Sequence, residues 1–245
     1  MSNFGVIICA SGSGSRFGGS KKKPFVDVAG RTAFLRSVDF FADRDDVKQI
    51  LIAISPEEEE MAKIKWEATL SFMGAKFCHG GGERFETVAK AMELMNDDID
   101  FIAVHDSVRC CLTNEWVDNV FAKAEKTGAA MLACPVVATI KKVKDGKIVE
   151  TVNRDGLYEA QTPQVFDAEL LKKAYANLKN VDKSLITDDS GLVEALGGEV
   201  SIVETDNSNI KITKQNDVAI AEAIIKSRPK HKADGPIGPY TEAEW

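Results

Sequence analysis

The sequence predicts an α/β protein: a mostly parallel sheet flanked by helices, carrying a protruding β-hairpin arm. Three observations predict it. Short apolar runs alternate with amphipathic stretches along most of the chain, the pattern of strands buried on both faces and helices laid over them. The first apolar run empties into a loop of small residues, Ser11-Gly12-Ser13-Gly14-Ser15, which suits a phosphate cradle at a sheet edge. The period then switches to two over residues 137–152, around Asp145-Gly146, a strong local hairpin signal.

Taken in order, residues 4–10 form the first buried strand. After the small-residue loop, residues 25–28 turn at Ala29-Gly30, and a helix follows with Thr32 as its N-cap and Phe34, Leu35, Val38 and Phe41 inward. Residues 47–54 are the second buried strand. Pro56 opens a helix whose acidic first turn, residues 57–60, complements the positive end of the helix dipole. That glutamate run reads as a solvated helix start and not as a metal site.

A short strand over residues 76–79 ends in Gly80-Gly81-Gly82, and residues 83–95 are helical with Val88, Ala91, Met92 and Met95 at core spacing. Residues 101–104 are a compact strand that empties into His105-Asp106. A helix over residues 116–126 is stopped by Gly128, and residues 129–136 are the next strand. The hairpin of residues 137–152 carries Lys141, Lys142, Lys144 and Lys147, so it has no place in a core and projects as an arm. Helices near residues 167–178 and 188–196, a strand at 199–203, an extended piece at 209–213 and a closing helix at 215–226 complete the domain. Residues 1–226 are expected to form one domain, and residues 227–245, charged and rich in Pro and Gly, read as a flexible tail.

The bulk properties narrow the function. The chain has 245 residues and a net charge of −7, which argues against a nucleic-acid partner and means that any phosphate site must be basic locally. Five cysteines, Cys9 and Cys134 within apolar runs, suggest no disulfide framework and a reducing, cytoplasmic setting. No apolar run has transmembrane length, and no membrane partner is expected.

Glycines in the first loop let the backbone curl around a ligand, and its amides with Arg16 and Lys23 can neutralise phosphate oxygens. A Walker loop would close on Gly-Lys-Ser/Thr, and a dinucleotide fingerprint would need three glycines in its own register. Neither spacing is present. The remaining alternative for this stretch is a solvated Gly/Ser loop with a basic run.

The segments 10–16 with Lys23, Gly80-Gly81-Gly82-Glu83-Arg84, His105-Asp106-Ser107-Val108-Arg109, residues 152–157 and Asn209-Ile210-Lys211-Ile212-Thr213 occur in this order. As a set they resemble the 2-C-methyl-D-erythritol 4-phosphate cytidylyltransferase family, from about residue 4 to 225. The resemblance implies a Rossmann-like sheet of the nucleotide-diphospho-sugar transferase type. It also implies transfer of CMP from CTP to 2-C-methyl-D-erythritol 4-phosphate with release of pyrophosphate, assisted by Mg²⁺ held mainly by the CTP phosphates and water, with no metal-ligating residues of the protein.

The roles it implies are these. Ala10, Ser11, Gly12, Gly14, Arg16 and Lys23 bind the triphosphate; Gly81, Gly82 and Thr87 line the base. Asp106, Ser107, Arg109, Thr139, Arg154 and Lys211 bind the acceptor, and Arg16, Lys23, Arg154 and Lys211 act at the reacting phosphates. In the family the arm is swapped, so that residues equivalent to Thr139 and Arg154 reach the partner's site; this implies a homodimer.

The sequence departs from the family pattern at Lys22, Pro24, Ser107-Val108 and Cys110-Cys111. The vicinal cysteines read as packing and His105 as structural. Two rivals share much of this: a cytidylyltransferase for ribitol 5-phosphate or a similar polyol phosphate, and a nucleotide-binding module without chemistry. A purine-using transferase shares only the first loop.

Overall fold

The computed structural model describes residues 1–12, 17–18, 22–182 and 186–229. A seven-stranded sheet has the order β11-β7-β10-β6-β1-β4-β5. Its strands are β1 (Phe4–Cys9), β4 (Val47–Ile54), β5 (Ala75–His79), β6 (Phe101–Asp106), β7 (Ala129–Pro135), β10 (Tyr158–Asp167) and β11 (Ser201–Glu204). All neighbours run parallel except β10, which is antiparallel to both β6 and β7.

Strand alternation explains the two-sided core. Val6, Ile8, Ile50, Ile52 and Ala103 point to one face, against α1 (Ala33–Ala42), α2 (Glu59–Phe72) and α4 (Asn114–Thr127). Ile7, Leu51, Ala53, Ile102 and Val104 point to the other, against α3 (Arg84–Met92), α5 (Ala168–Ala176) and α6 (Asp189–Glu194). Residues buried on both faces are what made these strands read as continuous apolar runs. A third cluster lies under α7 (Asn216–Ser227) and contains Val28, Val108, Cys110, Cys111, Ile212 and Ala221. The vicinal cysteines are therefore packing residues.

The order of the strands makes the site. From β1 the chain steps outward to β4 and β5, then returns to lay β6 on the other side of β1. Connections leaving β1 and β6 diverge, which opens a crevice at their carboxyl ends, where ligands bind in open α/β sheets.

Several elements differ from expectation. Strand β10 was not anticipated, because Pro163 demotes a run to an edge or an irregularity. The register of β10 shifts between Ala160 and Gln164, and Pro163 sits inside that break. Helix α3 ends at Met92 instead of continuing to residue 95; Met95 instead folds back, where a Cβ on Gly5 would meet its Sδ at 2.6 Å. Thr32 occupies the N-cap of α1 but makes no side-chain cap bond. Pro56 starts a 3₁₀ turn, Pro56–Glu58, before α2 begins. Ser227 still belongs to α7, and Arg228 donates to the carbonyls of Leu112 and Cys111; residues 230–245 of the expected tail lie outside the described residues.

The arm is a separate two-stranded sheet, β8 (Ile140–Lys144) and β9 (Lys147–Val152). Asp145 (φ 50°) and Gly146 (φ 75°) both take the left-handed conformation that a two-residue hairpin turn demands. The small β2–β3 hairpin (Asp27–Val28, Arg31–Thr32) precedes α1. Among the described residues no helix is long and apolar enough to cross a membrane.

Candidate active site

The cleft is walled by Ala10, Ser11 and Gly12 after β1, by Lys23 and Pro24, by Gly82, Glu83, Arg84 and Thr87, by Asp106–Val108 after β6, and by Lys211. Elements far apart in sequence converge because each leaves the carboxyl edge of the sheet near its switch point.

Lys23 is placed by aromatic packing. Two residues on, Phe25 stacks on Trp66 at 5.1 Å and meets Phe34 edge-on at 5.8 Å, and such pairs add specific geometry to their burial. Pro24, in a 3₁₀ turn over Lys23–Phe25, stiffens the approach. Lys22 points elsewhere: its Nζ donates to Ser55 Oγ at 2.9 Å and pairs with Glu58 at 2.8 Å. Gly14 and Arg16, both expected at the triphosphate, lie outside the described residues, as does Lys21.

The glycine turn is braced by one hydroxyl. Thr87 Oγ1, buried under the turn, contacts Ser11 Oγ at 2.8 Å, accepts from the Gly81 amide at 3.0 Å and donates to Glu83 O at 3.0 Å. A Cβ on Gly80 would come within 2.5 Å of the Ser11 Cβ, and one on Gly81 within 2.4 Å of the Glu86 Cβ. These two positions tolerate only glycine without movement. Gly82 faces the cleft, whereas Gly81 lies behind it as part of the brace. Glu83 caps α3 in a reciprocal box with Glu86.

Asp106 is the electrostatic centre. Its buried carboxylate lies 2.6 Å from Lys211 Nζ, 3.5 Å from Arg84 Nε and 3.6 Å from Arg109 Nε. Burial opposes its ionisation, but the charges of Lys211, Arg84 and Arg109 outweigh burial and hold the carboxyl well below the usual range. The result is a locally cationic cleft floor in an acidic protein.

Arg109 stands behind Asp106 and donates to the carbonyls of Asn209 (2.8 Å) and Ala160 (3.2 Å). It supports the segment that carries Lys211. Ser107 is buried; its amide donates to Cys9 O at 3.2 Å, and its carbonyl accepts from Ser37 Oγ at 3.1 Å.

Strand β10 tethers three of the site's loops through buried polar side chains. Gln161 Oε1 accepts from Thr205 Oγ1 (2.8 Å) and Asn209 Nδ2 (2.7 Å), fixing the approach to Lys211. Thr162 Oγ1 accepts from the Asp106 amide and contacts His105 Nδ1, each at 3.0 Å. Gln164 Oε1 accepts from the amides of Asp189 and Ser190, both at 3.1 Å. His105 is fully buried, and burial lowers its pKa to about 3, so it is a neutral structural group.

Arg84 and Asp189 form a pair at the site that sequence reading did not connect. Arg84 Nη1 lies 2.6 Å from Asp189 Oδ2, whose other oxygen accepts from Tyr175 OH at 2.5 Å. Their separation of 105 residues carries no pattern that sequence reading detects.

Thr139 and Arg154 are not brought to the cleft within one chain. Both are exposed at the base of the arm, and Arg154 Nη1 donates to Val137 O. Cys9 borders the cleft, but burial pushes its thiol up to about 12, so it supplies no thiolate. Ser11 Oγ is engaged by Thr87 Oγ1. The described cleft is built from cations and amides, the equipment of charge neutralisation.

The comparisons agree with this geometry. The family model described as 2-C-methyl-D-erythritol 4-phosphate cytidylyltransferase matches residues 4–227. A protein of that name from Endomicrobium trichonymphae is 41% identical over 223 residues, covering 91% of this chain and 98% of that one. One from Bacillus licheniformis is 33% identical over 230 residues, with coverage of 94% and 99%. Among solved structures, a 4-diphosphocytidyl-2C-methyl-D-erythritol synthase from Anaerococcus prevotii superposes with a TM-score of 0.78 at 26% identity, covering 92% of this chain and 96% of that one. The 2-C-methyl-D-erythritol 4-phosphate cytidylyltransferase from Thermus thermophilus gives 0.75 at 29%, covering 92% and 100%. With the sheet order, the cleft and the match over nearly its whole length in agreement, the chain belongs to the 2-C-methyl-D-erythritol 4-phosphate cytidylyltransferase family.

Proposed function

We propose that the protein transfers CMP from CTP to 2-C-methyl-D-erythritol 4-phosphate, forming 4-diphosphocytidyl-2-C-methyl-D-erythritol and pyrophosphate. The observation that carries this reading is the cationic cleft at the carboxyl ends of β1 and β6, with Lys23 on one wall and the Asp106–Lys211 pair on its floor. A phosphate oxygen of the acceptor attacks the α-phosphorus of CTP as the bond to the bridging oxygen of the β-phosphate breaks. Two anions react, so positioning and charge neutralisation account for most of the rate.

Lys23 and, by family resemblance, Arg16 hold the triphosphate and the charge that spreads at the α-phosphorus. Lys211 takes the acceptor's phosphate. One of its three ammonium protons is committed to Asp106, and the side chain is 43% exposed, which leaves donors for a phosphate oxygen. Gly82 and Thr87, both on the cleft wall, line the pyrimidine.

The donor set suits a Mg²⁺ ion that arrives with CTP. Among the described residues no three His, Cys, Asp or Glu are grouped to hold a metal, and Asp106 is engaged by Lys211, Arg84 and Arg109. When bound, such an ion neutralises triphosphate charge and takes its ligands from phosphate and water.

The arm supports a homodimer in the cytoplasm, where the five free cysteines stay reduced. Val137, Val143, Ile148 and Val149 on the arm are 64%, 57%, 65% and 56% exposed. A two-stranded hairpin with an uncovered apolar surface is marginal alone, and a second copy of the chain would cover it. Thr139 and Arg154 would then enter the partner's cleft, where the Arg154 guanidinium grips the acceptor phosphate.

The test is a pyrophosphate-release assay with 2-C-methyl-D-erythritol 4-phosphate and each of the four ribonucleoside triphosphates, with Mg²⁺. Release is expected with CTP well above the others. Release with a purine triphosphate alone, or none with CTP, would overturn the reading.

A further inference from the structure

We propose that Asp189, a carboxylate outside the cleft, is a positioning residue for the transfer: through Arg84 it sets where Asp106, and with it Lys211, stands. The proposal deepens the function given above, since it rests on Lys211 handling the acceptor phosphate.

The geometry is a chain of alternating charges. Asp189 is fully buried, Arg84 Nη1 lies 2.6 Å from its Oδ2, and Arg84 Nε lies 3.5 Å from Asp106 Oδ1. Asp106 Oδ2 in turn holds Lys211 Nζ at 2.6 Å. One guanidinium thus spans two carboxylates, closer to the one outside the cleft. Asp189 is itself fixed from two further sides, by Tyr175 OH at 2.5 Å and by Gln164, which accepts from its amide at 3.1 Å.

This arrangement has a directional consequence. Asp189 draws Arg84 away from Asp106, so the Asp106 carboxylate remains available to Lys211. Without the charge of Asp189, Arg84 has a single carboxylate left to neutralise and closes on Asp106. That movement withdraws negative charge from Lys211 and turns the carboxylate toward Arg84. A displacement of about 1 Å in a positioning group can lower a rate roughly a hundredfold. Arg84 Nη2, buried and without a hydrogen-bond partner among the described residues, offers no competing anchor.

A purely structural role for Asp189, tying α6 to the sheet, makes different predictions, and a double-mutant cycle separates the two. Asp189→Asn should lower kcat by roughly 10- to 100-fold while changing the KM for CTP less than about threefold. In the background of Lys211→Met, the same change should cost less than about threefold, because the group it positions is gone. Equal falls with and without Lys211, or no fall at all, would overturn the proposal.

A crystal structure of Asp189→Asn decides the matter without any activity. Arg84 should approach Asp106 to hydrogen-bond distance and Lys211 should move away from it; an unchanged Lys211–Asp106 contact refutes the proposal. If the protein released no pyrophosphate from CTP, the functional reading would fall and these distances would still be decisive. Should Asp189→Asn not fold, Arg84→Lys serves in the same cycle, because a point charge cannot bridge both carboxylates as the planar fork does.

Discussion

Replacing Asp106 with asparagine removes one charge and almost no volume, so it isolates the electrostatics of the cleft floor. In the native protein that carboxylate faces Lys211 at 2.6 Å, Arg84 at 3.5 Å and Arg109 at 3.6 Å. Breaking a buried ion pair by removing one partner costs about 3–5 kcal/mol when the other charge is left stranded. Here the stranding is partial. Arg84 keeps Asp189, Arg109 keeps two carbonyl acceptors, and Lys211 is 43% exposed and can be rehydrated. The expected loss is therefore about 2–3 kcal/mol, near that of one charged hydrogen bond with incomplete compensation. For a domain of this size, that is a fall in Tm of roughly 4–12 °C.

Added pyrophosphate gives the sharper readout. The Asn variant keeps the three cations without their central anion, so a polyanion should raise its Tm more than it raises that of the native protein. Thermal melts of both proteins with and without pyrophosphate make the measurement. A Tm unchanged by the substitution, or equal stabilisation of both proteins by pyrophosphate, would refute the electrostatic account of the cleft.

Other expectations follow from the same geometry. Lys23→Ala should lower kcat by roughly a hundredfold or more in steady-state assays, whereas Lys22→Ala should lose a half-buried pair to Glu58 and a hydrogen bond to Ser55 and leave kcat nearly unchanged. His105 has a folded pKa of about 3, below its ordinary 6.5, so the unfolded chain takes up the proton first. Its contribution to stability is full above about pH 6.5 and declines by about 1.4 kcal/mol per pH unit as pH falls toward 3; denaturant melts of His105→Asn should lack that slope. On the proposed arm-swapped homodimer, Arg154→Ala and Lys23→Ala subunits, each inactive alone, should regain activity when mixed and allowed to exchange, since one cleft of the heterodimer then has both groups. Failure despite demonstrated exchange would place Arg154 in its own chain's site.

What the sequence made legible and what it hid have physical causes. Strands buried on both faces, such as β1 and β4, announce themselves as apolar runs, and the arm's period of two around Asp145-Gly146 fixed its turn. Strand β10 stayed hidden because its middle is polar. Gln161, Thr162 and Gln164 are buried to tether loops instead of filling the core, and polar residues around a proline read as a loop. Spacing could not choose among Lys21, Lys22 and Lys23; for the described pair, the stacking of Phe25 on Trp66 and the pull of Ser55 and Glu58 on Lys22 make the choice. The Arg84–Asp189 pair was invisible because a contact between the starts of two helices 105 residues apart leaves no local trace. Asp106 and Lys211 were legible only as members of recurring segments; their direct contact emerges from the fold.

If this cleft joins CMP to 2-C-methyl-D-erythritol 4-phosphate, that acceptor must outcompete other polyol phosphates. The most direct measurement is a single-tube competition, with CTP and Mg²⁺ limiting and equal amounts of 2-C-methyl-D-erythritol 4-phosphate and ribitol 5-phosphate, followed by ³¹P NMR and mass analysis of the products. The predicted result is the diphosphocytidyl ester of methylerythritol as the dominant product, formed in step with one pyrophosphate per CTP consumed. Predominant formation of the ribitol ester would contradict the assignment of the acceptor, and CTP binding without any ester would contradict the assignment of a reaction.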